Sequence, residues 1–207
     1  MKSGLTVTTD NADAVLASLA KLSGMDVLVG IPEGNAARED GAPFNNAELG
    51  YLQSVGATIQ IPEHTTTIYR QVDANGDLKN DGRFVKARKS NLATTHTVPA
   101  QTVTLPPRPF LDIGIEDTQE RTTAHLKAAA QYALEGKAEG AVRELERAGI
   151  IASDGAKAVI EAGDRLAPLS EKTIQKRREA KPPIAGDKPL RARGYLLRSI
   201  TYVVRKK

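Results

Sequence analysis

Apolar residues recur at helical spacing near the start of the chain. Ala12, Val15, Leu16, Leu19 and Leu22 form one stripe, with Asp10 or Asn11 in the capping position. The pattern predicts a helix to about Ser23, closed by Gly24. "MDVLVGIP" follows as a continuous apolar run, a buried strand stopped by Gly30 and Pro32. "EGNAAREDGAPFN" reads as a polar loop. In "NAELGYLQSVG", Ala47, Leu49, Leu52 and Val55 lie along one side, Asn45 or Asn46 caps the start, and Gly56 closes the end.

The pattern then turns β-rich in "TIQIPEHTTTIYRQV". Asn75-Gly76 and Asp81-Gly82 are turn dipeptides, which predicts a hairpin between "TTIYRQV" and "GRFVKA". Asp73, Asn75, Asp77 and Asp81 imitate a calcium loop, but the positions that need Gly and Glu hold Leu78 and Phe84. "SNLATTHTVPAQTVTL" reads as an extended arm ending in a strand, Thr102 to Leu105. Helical periodicity resumes at Ile115, with Glu116 and Asp117 in the first turn. Gly136 is a candidate break. The next helix, from residue 137 to 163, carries Val142, Leu145, Ile151 or Ala152, Val159 and Ile160. Its apolar face is mostly small, which favours close helix packing, although Gly149 and Gly155 weaken it in isolation. A short helix from Ser170, a Pro/Gly loop, a helical turn around Leu196 and a strand from Ile200 to Val204 complete the chain.

These elements predict one α+β domain over residues 1–207, with a small, mainly antiparallel sheet packed against helices. Val27–Ile31, Ile59–Ile61, Val103–Leu105 and Ile200–Val204 are the expected strands. Residues 64–102 are the expected inserted hairpin arm, projecting from the domain. Residues 165–207 form a basic region that returns to the sheet.

Between strand and helix stands "LPPRPFLDIGI". Alone, Pro106, Pro107 and Pro109 could dock as a polyproline ligand. Their position, where the chain must turn between packed elements, reads instead as a rigid corner. Pro107 and Pro109 end the strand and pre-set φ. Phe110 and Leu111 are placed to plug the core beneath. Arg108, between two prolines, has two readings: a salt bridge within the subunit, or a contact to a neighbouring subunit.

Composition narrows the chemistry. The 207 residues include five Tyr, three Phe, no Trp and no Cys. The core is therefore modest, and assembly with other subunits is an expected source of stability. Cysteine chemistry is excluded. The opening segment "MKSGLTVTTDNADAV" has no apolar signal core and no membrane-length apolar run occurs, so a soluble protein made in a bacterial cytoplasm is expected. His64, His96 and His125 stand far apart, without metal-ligand spacing. Neither GxxxxGK[ST] nor GxGxxG is present, and Ser170 and Ser199 lack a nucleophile elbow. The expectation is no enzyme, no catalytic residue, no cofactor and no metal.

Charge is segregated. Residues 165–207 hold 13 Lys and Arg against Glu171, Glu179 and Asp187, while the whole chain carries only +4, so the remainder is acidic. Lys172, Lys176, Arg177 and Arg178 can share one helix surface and are candidate contacts to DNA or an acidic partner.

Four pieces in order, "NAELGYLQSVGATIQIP", "LPPRPFLDIGIED", "APLSEKTIQKRR" and "KPLRARGYLLRSITYVV", resemble tail components of tailed bacteriophages of the HK97 type. Relatives of that family are described as tail-completion or virion-morphogenesis proteins. Relative to its shorter members, the segment from His64 to Thr102 is an insertion. The resemblance implies a structural virion protein at the head–tail junction, part of the neck. It would form a closed ring, often sixfold, joining the connector or stopper to the tail terminator or tail tube. DNA would pass through the channel without sequence recognition, and no membrane is involved. A tail-terminator ring is the neighbouring alternative within the same class, and a DNA-binding protein using the basic C-terminal region the alternative outside it. Under the ring reading the arm reaches a neighbouring subunit, with Tyr69, Arg70, Arg83, Phe84 and Lys86, besides Arg108, as expected contacts.

Overall fold

A computed structural model describes residues 11–38 and 44–206. The candidate cap Asp10, part of the polar loop (39–43) and Lys207 of the terminal "RKK" lie outside the described residues. The fold is α+β, with small antiparallel sheets of two strands each. The chain divides into two compact units, Met1–Gly56 with Pro106–Lys207, and Ala57–Leu105.

The first unit is built on a helical hairpin. Helix α1 spans Ala12–Ser23, strand β1 Met25–Gly30, helix α2 Glu33–Ala36 and helix α3 Asn46–Val55. Asn45 caps α3 through a reciprocal capping box with Glu48. Beyond the second unit come helices α4 (Phe110–Leu134) and α5 (Ala138–Ala162), reversed at Gly136, whose φ of 73° suits glycine. Helix α4 thus starts five residues before the apolar periodicity becomes visible. The reason is that its first turn is defined by the corner: Pro109 sets the entry, and the Ile113 amide bonds the Pro109 carbonyl.

Glycine allows α4 and α5 to touch backbone to backbone. A Cβ on Gly114 would lie 2.4 Å from the Ala156 backbone, and one on Gly155 would lie 2.6 Å from the Gly114 carbonyl oxygen. The face of α5 buried along this seam includes Ala141, Ala148, Ala152 and Ala156. Sequence alone presents Gly149 and Gly155 as weaknesses, yet α5 runs unbroken. Tertiary burial outweighs the loss of helix propensity, because each glycine receives a neighbour. Over Gly149 lies the Tyr202 ring, where a Cβ would come within 2.4 Å.

Strand β1 pairs antiparallel with the last strand, Thr201–Lys206, with Val27 opposite Val204 and Val29 opposite Tyr202. Met25, Val27 and Val204 pack toward Ala129, Ala133, Ala141 and Leu145, while Leu28 and its partner Val203 face outward. Helix α1 packs on α4 and α5 through Val15, Ser18, Leu19 and Leu22. The buried centre of its face is Ser18, whereas Leu16, expected inside, is exposed. A second cluster gathers Phe110, Ala156, Val159, Ile160, Leu166 and Ile200.

The second unit is a two-stranded ribbon. Strand β2 (Ala57–Ile61) pairs with β5 (Gln101–Leu105), and β3 (His64–Arg70) pairs with β4 (Leu92–Val98). Residue and partner numbers have the same sum in both pairs, so one register continues across the break. Pro62 and Pro99 cause that break, since each lacks the N–H a ladder needs. The final strand, pairing with β1 alone, is β6. The expected common sheet of Val27–Ile31, Ile59–Ile61, Val103–Leu105 and Ile200–Val204 is therefore corrected. The first and last of these pair with each other, and Ile59–Ile61 pairs with Gln101–Val103 in the ribbon. The expected hairpin is corrected too. The turns at Gly76 and Gly82 exist, with φ of 90° and 72°, but β3 takes β4 as its partner rather than "GRFVKA". The ribbon is thus wider than the expected insert 64–102.

We predict that Gly114→Ala lowers unfolding stability by about 1–3 kcal/mol or more. Gly34→Ala, where an added Cβ meets nothing within 4 Å, should be near neutral. Urea unfolding midpoints check this, and equal midpoints for the two variants would contradict the close crossing.

Candidate functional site

The corner is densely bonded. Phe110 is fully buried among Ile160, Ile200 and their neighbours, and Leu111 packs at the edge of that cluster. Pro109 is half-buried, and Pro107 stays exposed, so it turns the chain without entering the core. Arg108 is only 6% exposed. Its Nε donates to the Ala167 carbonyl at 2.6 Å, Nη1 to Gln53 Oε1 at 2.8 Å, and Nη2 to the Pro168 carbonyl at 2.9 Å. Its backbone amide bonds the Gln53 carbonyl. This corrects the expected salt bridge, since every acceptor is neutral. It also takes the guanidinium away from any neighbouring subunit, because the fork is buried and its donors are engaged. Burial, and after it the charge of Arg177, pushes the Arg108 pKa below its ordinary value, while the group stays cationic.

Arg177 is the second inward arginine. Helix α6 (Glu171–Glu179) is capped by Ser170, whose side chain accepts from the Thr173 amide. Lys172, Lys176 and Arg178 on α6 are exposed, but Arg177 is buried and its Nη1 donates to the Lys188 carbonyl at 2.9 Å. Of the four expected cations, three are therefore exposed. The fourth binds the loop before α7 (Tyr195–Ser199). Burial lowers its pKa and Asp187 opposes that shift.

The ribbon tip brings the expected arm residues together. The Val85 amide bonds the Tyr69 carbonyl, and the Arg70 guanidinium lies 5.3 Å from the centre of the Phe84 ring. Arg83 and Lys86 flank Phe84 and are exposed. Side chains tie the tip loop down. Asn91 bonds both backbone groups of Val72, Gln71 Nε2 donates to the Lys89 carbonyl, and Ser90 Oγ reaches the Arg70 carbonyl. Asp73 Oδ1 accepts the amides of Asn75 and Asp77, a turn role.

Among the described residues no group of three His, Cys, Asp or Glu could hold a metal, and no helix is long and apolar enough to cross a membrane. The recess beside α6, lined by Ile174, Arg178 and Asp187, holds no nucleophile paired with a base. One contact escaped sequence reasoning. His125 on α4 is half-buried, and its Nδ1 donates to Glu144 Oε2 on α5 at 2.6 Å. An ionised carboxylate only accepts, so Nδ1 carries the proton. Arg147 donates to the other oxygen. Those bonds, His125 first, hold the Glu144 carboxyl below its ordinary pKa despite its burial. A separation of 19 positions gives no signal in sequence, because only the pairing of α4 with α5 creates the contact. Asp117 and Arg165 form a two-pronged ion pair that fastens the start of the basic region to α4.

No family model matches this chain, and no match is found among curated proteins or solved structures.

Two expectations follow. Arg108→Lys and Arg177→Lys should each cost about 2 kcal/mol in urea unfolding, because a lysine cannot reproduce the three-acceptor fork of Arg108 and, at position 177, lacks the guanidinium whose Nη1 reaches the Lys188 carbonyl. Lys176→Gln should cost nothing measurable, and equal effects at all three positions would contradict the inward arginines. Because the folded pKa of Glu144 is depressed, its contribution is present above the ordinary carboxylate range and is lost as pH falls through the folded value. Glu144→Gln should therefore be less stable than the native chain at neutral pH, with the gap narrowing in acid. A gap independent of pH would refute the assignment.

Proposed function

We propose that this chain is a structural, non-enzymatic protein of a tailed-bacteriophage virion. It acts at the head–tail junction as a neck or tail-completion ring between connector and tail tube. One observation carries the reading. The four sequence pieces that resemble the phage family lie far apart along the chain yet meet at a single point. Arg108 and Phe110 come from the second piece. Gln53, which Arg108 bonds, comes from the first; Ala167 and Pro168, its other acceptors, come from the third; and Ile200, packed with Phe110, comes from the fourth. Gly50 of the first piece adds to the same contact, with Phe110 and Leu196 within 4 Å of where a Cβ would stand. Pieces that form one packing unit are what a shared fold requires.

Exposed apolar residues support assembly. Tyr51 and Val55, four positions apart, lie on one side of α3, and Phe44 stands just before it; all three are more than half exposed. The ribbon also lacks cover. Ile59 and its partner Val103 are both exposed, and a two-stranded ribbon is marginal alone in water. A subunit that completes itself against neighbours would leave such surfaces. A DNA-binding role is the second reading, favoured by the exposed Lys172, Lys176 and Arg178. A gel shift that falls with salt and with neutralisation of these three would support it.

Replacing residues 66–96 with Asn-Gly closes the ribbon at Thr65 and Thr97, which already face each other. The body should keep its helical signal and unfolding midpoint, while lysates contain heads and tails of normal length that fail to join. Overlong tails would instead indicate a terminator, and normal infectious particles would refute the neck role of the ribbon.

A further inference from the structure

The ribbon tip and the start of α4 carry opposite and matching surfaces. From Lys79 to Lys89 the tip holds five cations, Lys79, Arg83, Lys86, Arg88 and Lys89, against one carboxylate, Asp81. All six are exposed. Among them stands Phe84, 69% exposed. One side of its ring is backed by Arg70, and the neighbouring backbone is tied to Tyr69, so the knob is held before any partner arrives. On α4, Asp112, Glu116 and Glu120 recur every four residues and are exposed. Beside them Ile115 is 42% exposed, an apolar spot on the surface of an otherwise polar turn. Asp117 is paired with Arg165, whose charge also acts on Glu116. The cations Arg121 and Lys127 come later along the helix.

We propose that the tip of one copy docks on the first three turns of α4 of a second copy, with Phe84 covering Ile115 and the tip cations facing Asp112, Glu116 and Glu120. The proposal deepens the ring reading and rests on it only for the closure of the contacts into a ring. The contact is heterologous, since the two surfaces differ, so each copy offers one tip and one helix and contacts can run from copy to copy. Burial of the aromatic knob supplies the affinity, and the charges set register and encounter rate. A nucleic acid would satisfy the tip cations but would leave the matching acidic and apolar surface on α4 without a role.

The absence of cysteine makes the test clean, because each introduced thiol reports one position. Ala87→Cys, exposed beside Phe84 at the tip, and Gln119→Cys, exposed one turn after Ile115, leave the knob and its seat intact; the two chains are mixed under a mild oxidant and resolved without reductant. The expected result is a mixed disulfide dimer in several-fold excess over either homodimer. Adding Glu116→Lys and Glu120→Lys to the Gln119→Cys chain should abolish it. Adding Lys86→Glu and Arg88→Glu to the Ala87→Cys chain should then restore it. A mixed dimer no more abundant than the homodimers, or one indifferent to charge reversal, overturns the proposal. Native protein that sediments as an oligomer without this cross-link overturns the contact and leaves the ring reading standing. Retardation of duplex DNA that is lost with Lys86→Glu and Arg88→Glu, without the cross-link, overturns it in favour of a nucleic-acid contact.

Discussion

The guanidinium of Arg108 is the constraint on which the body depends. It is buried without a carboxylate, so its charge is tolerated only because neutral oxygens from two separate segments converge on its fork. Those segments are the C-terminal half of α3 and the loop that follows α5. By holding both, Arg108 fixes the corner at which α4 begins and places Phe110 in the core. Arg177 repeats the device one segment later, gathering the Gly186–Lys188 backbone. The C-terminal region, irregular and rich in proline, thereby gains an ordered path from buried cations rather than from a large apolar core.

The second constraint is the close crossing of α4 and α5. Small residues let the two helices meet at Gly114 and Gly155, and the compact seam leaves room for β1 and β6 to lie against α5. The core can then be made with few aromatics, which matches the composition. Much of the aromatic and aliphatic material is left outside, at Phe44, Tyr51, Phe84 and Leu134, where it is available to other molecules.

Local signals were legible in sequence. Gly24 and Gly136 end helices where the periodicity fails, Asn45 caps α3 and Ser170 caps α6 by side-chain chemistry, and the last strand starts one residue after its expected start and ends two residues beyond its expected end. What sequence could not supply was partnership. Alternation marks a strand but not its mate, so Ile59–Ile61 and Val103–Leu105 could be read into one sheet with β1 when they pair in a separate ribbon. The same limit hid Arg177, which the sequence groups with Lys176 and Arg178 on one helix surface, and His125, whose carboxylate partner lies on another helix. The α1 stripe misled because Ser18, small and polar, occupies the closest approach while Leu16 faces out. For the candidate site, the residue types at the corner and arm were visible. That Arg108 would be spent inside the fold, and Phe84 held outside it, depended on the tertiary arrangement.

The proposed role is that of a component of the virion neck. Immunogold labelling of purified particles made from the genome that encodes it tests this most directly. The account predicts label confined to the joint between head and tail. Particles that assemble normally yet carry none of this protein, while the infected-cell lysate contains it, would contradict the claim.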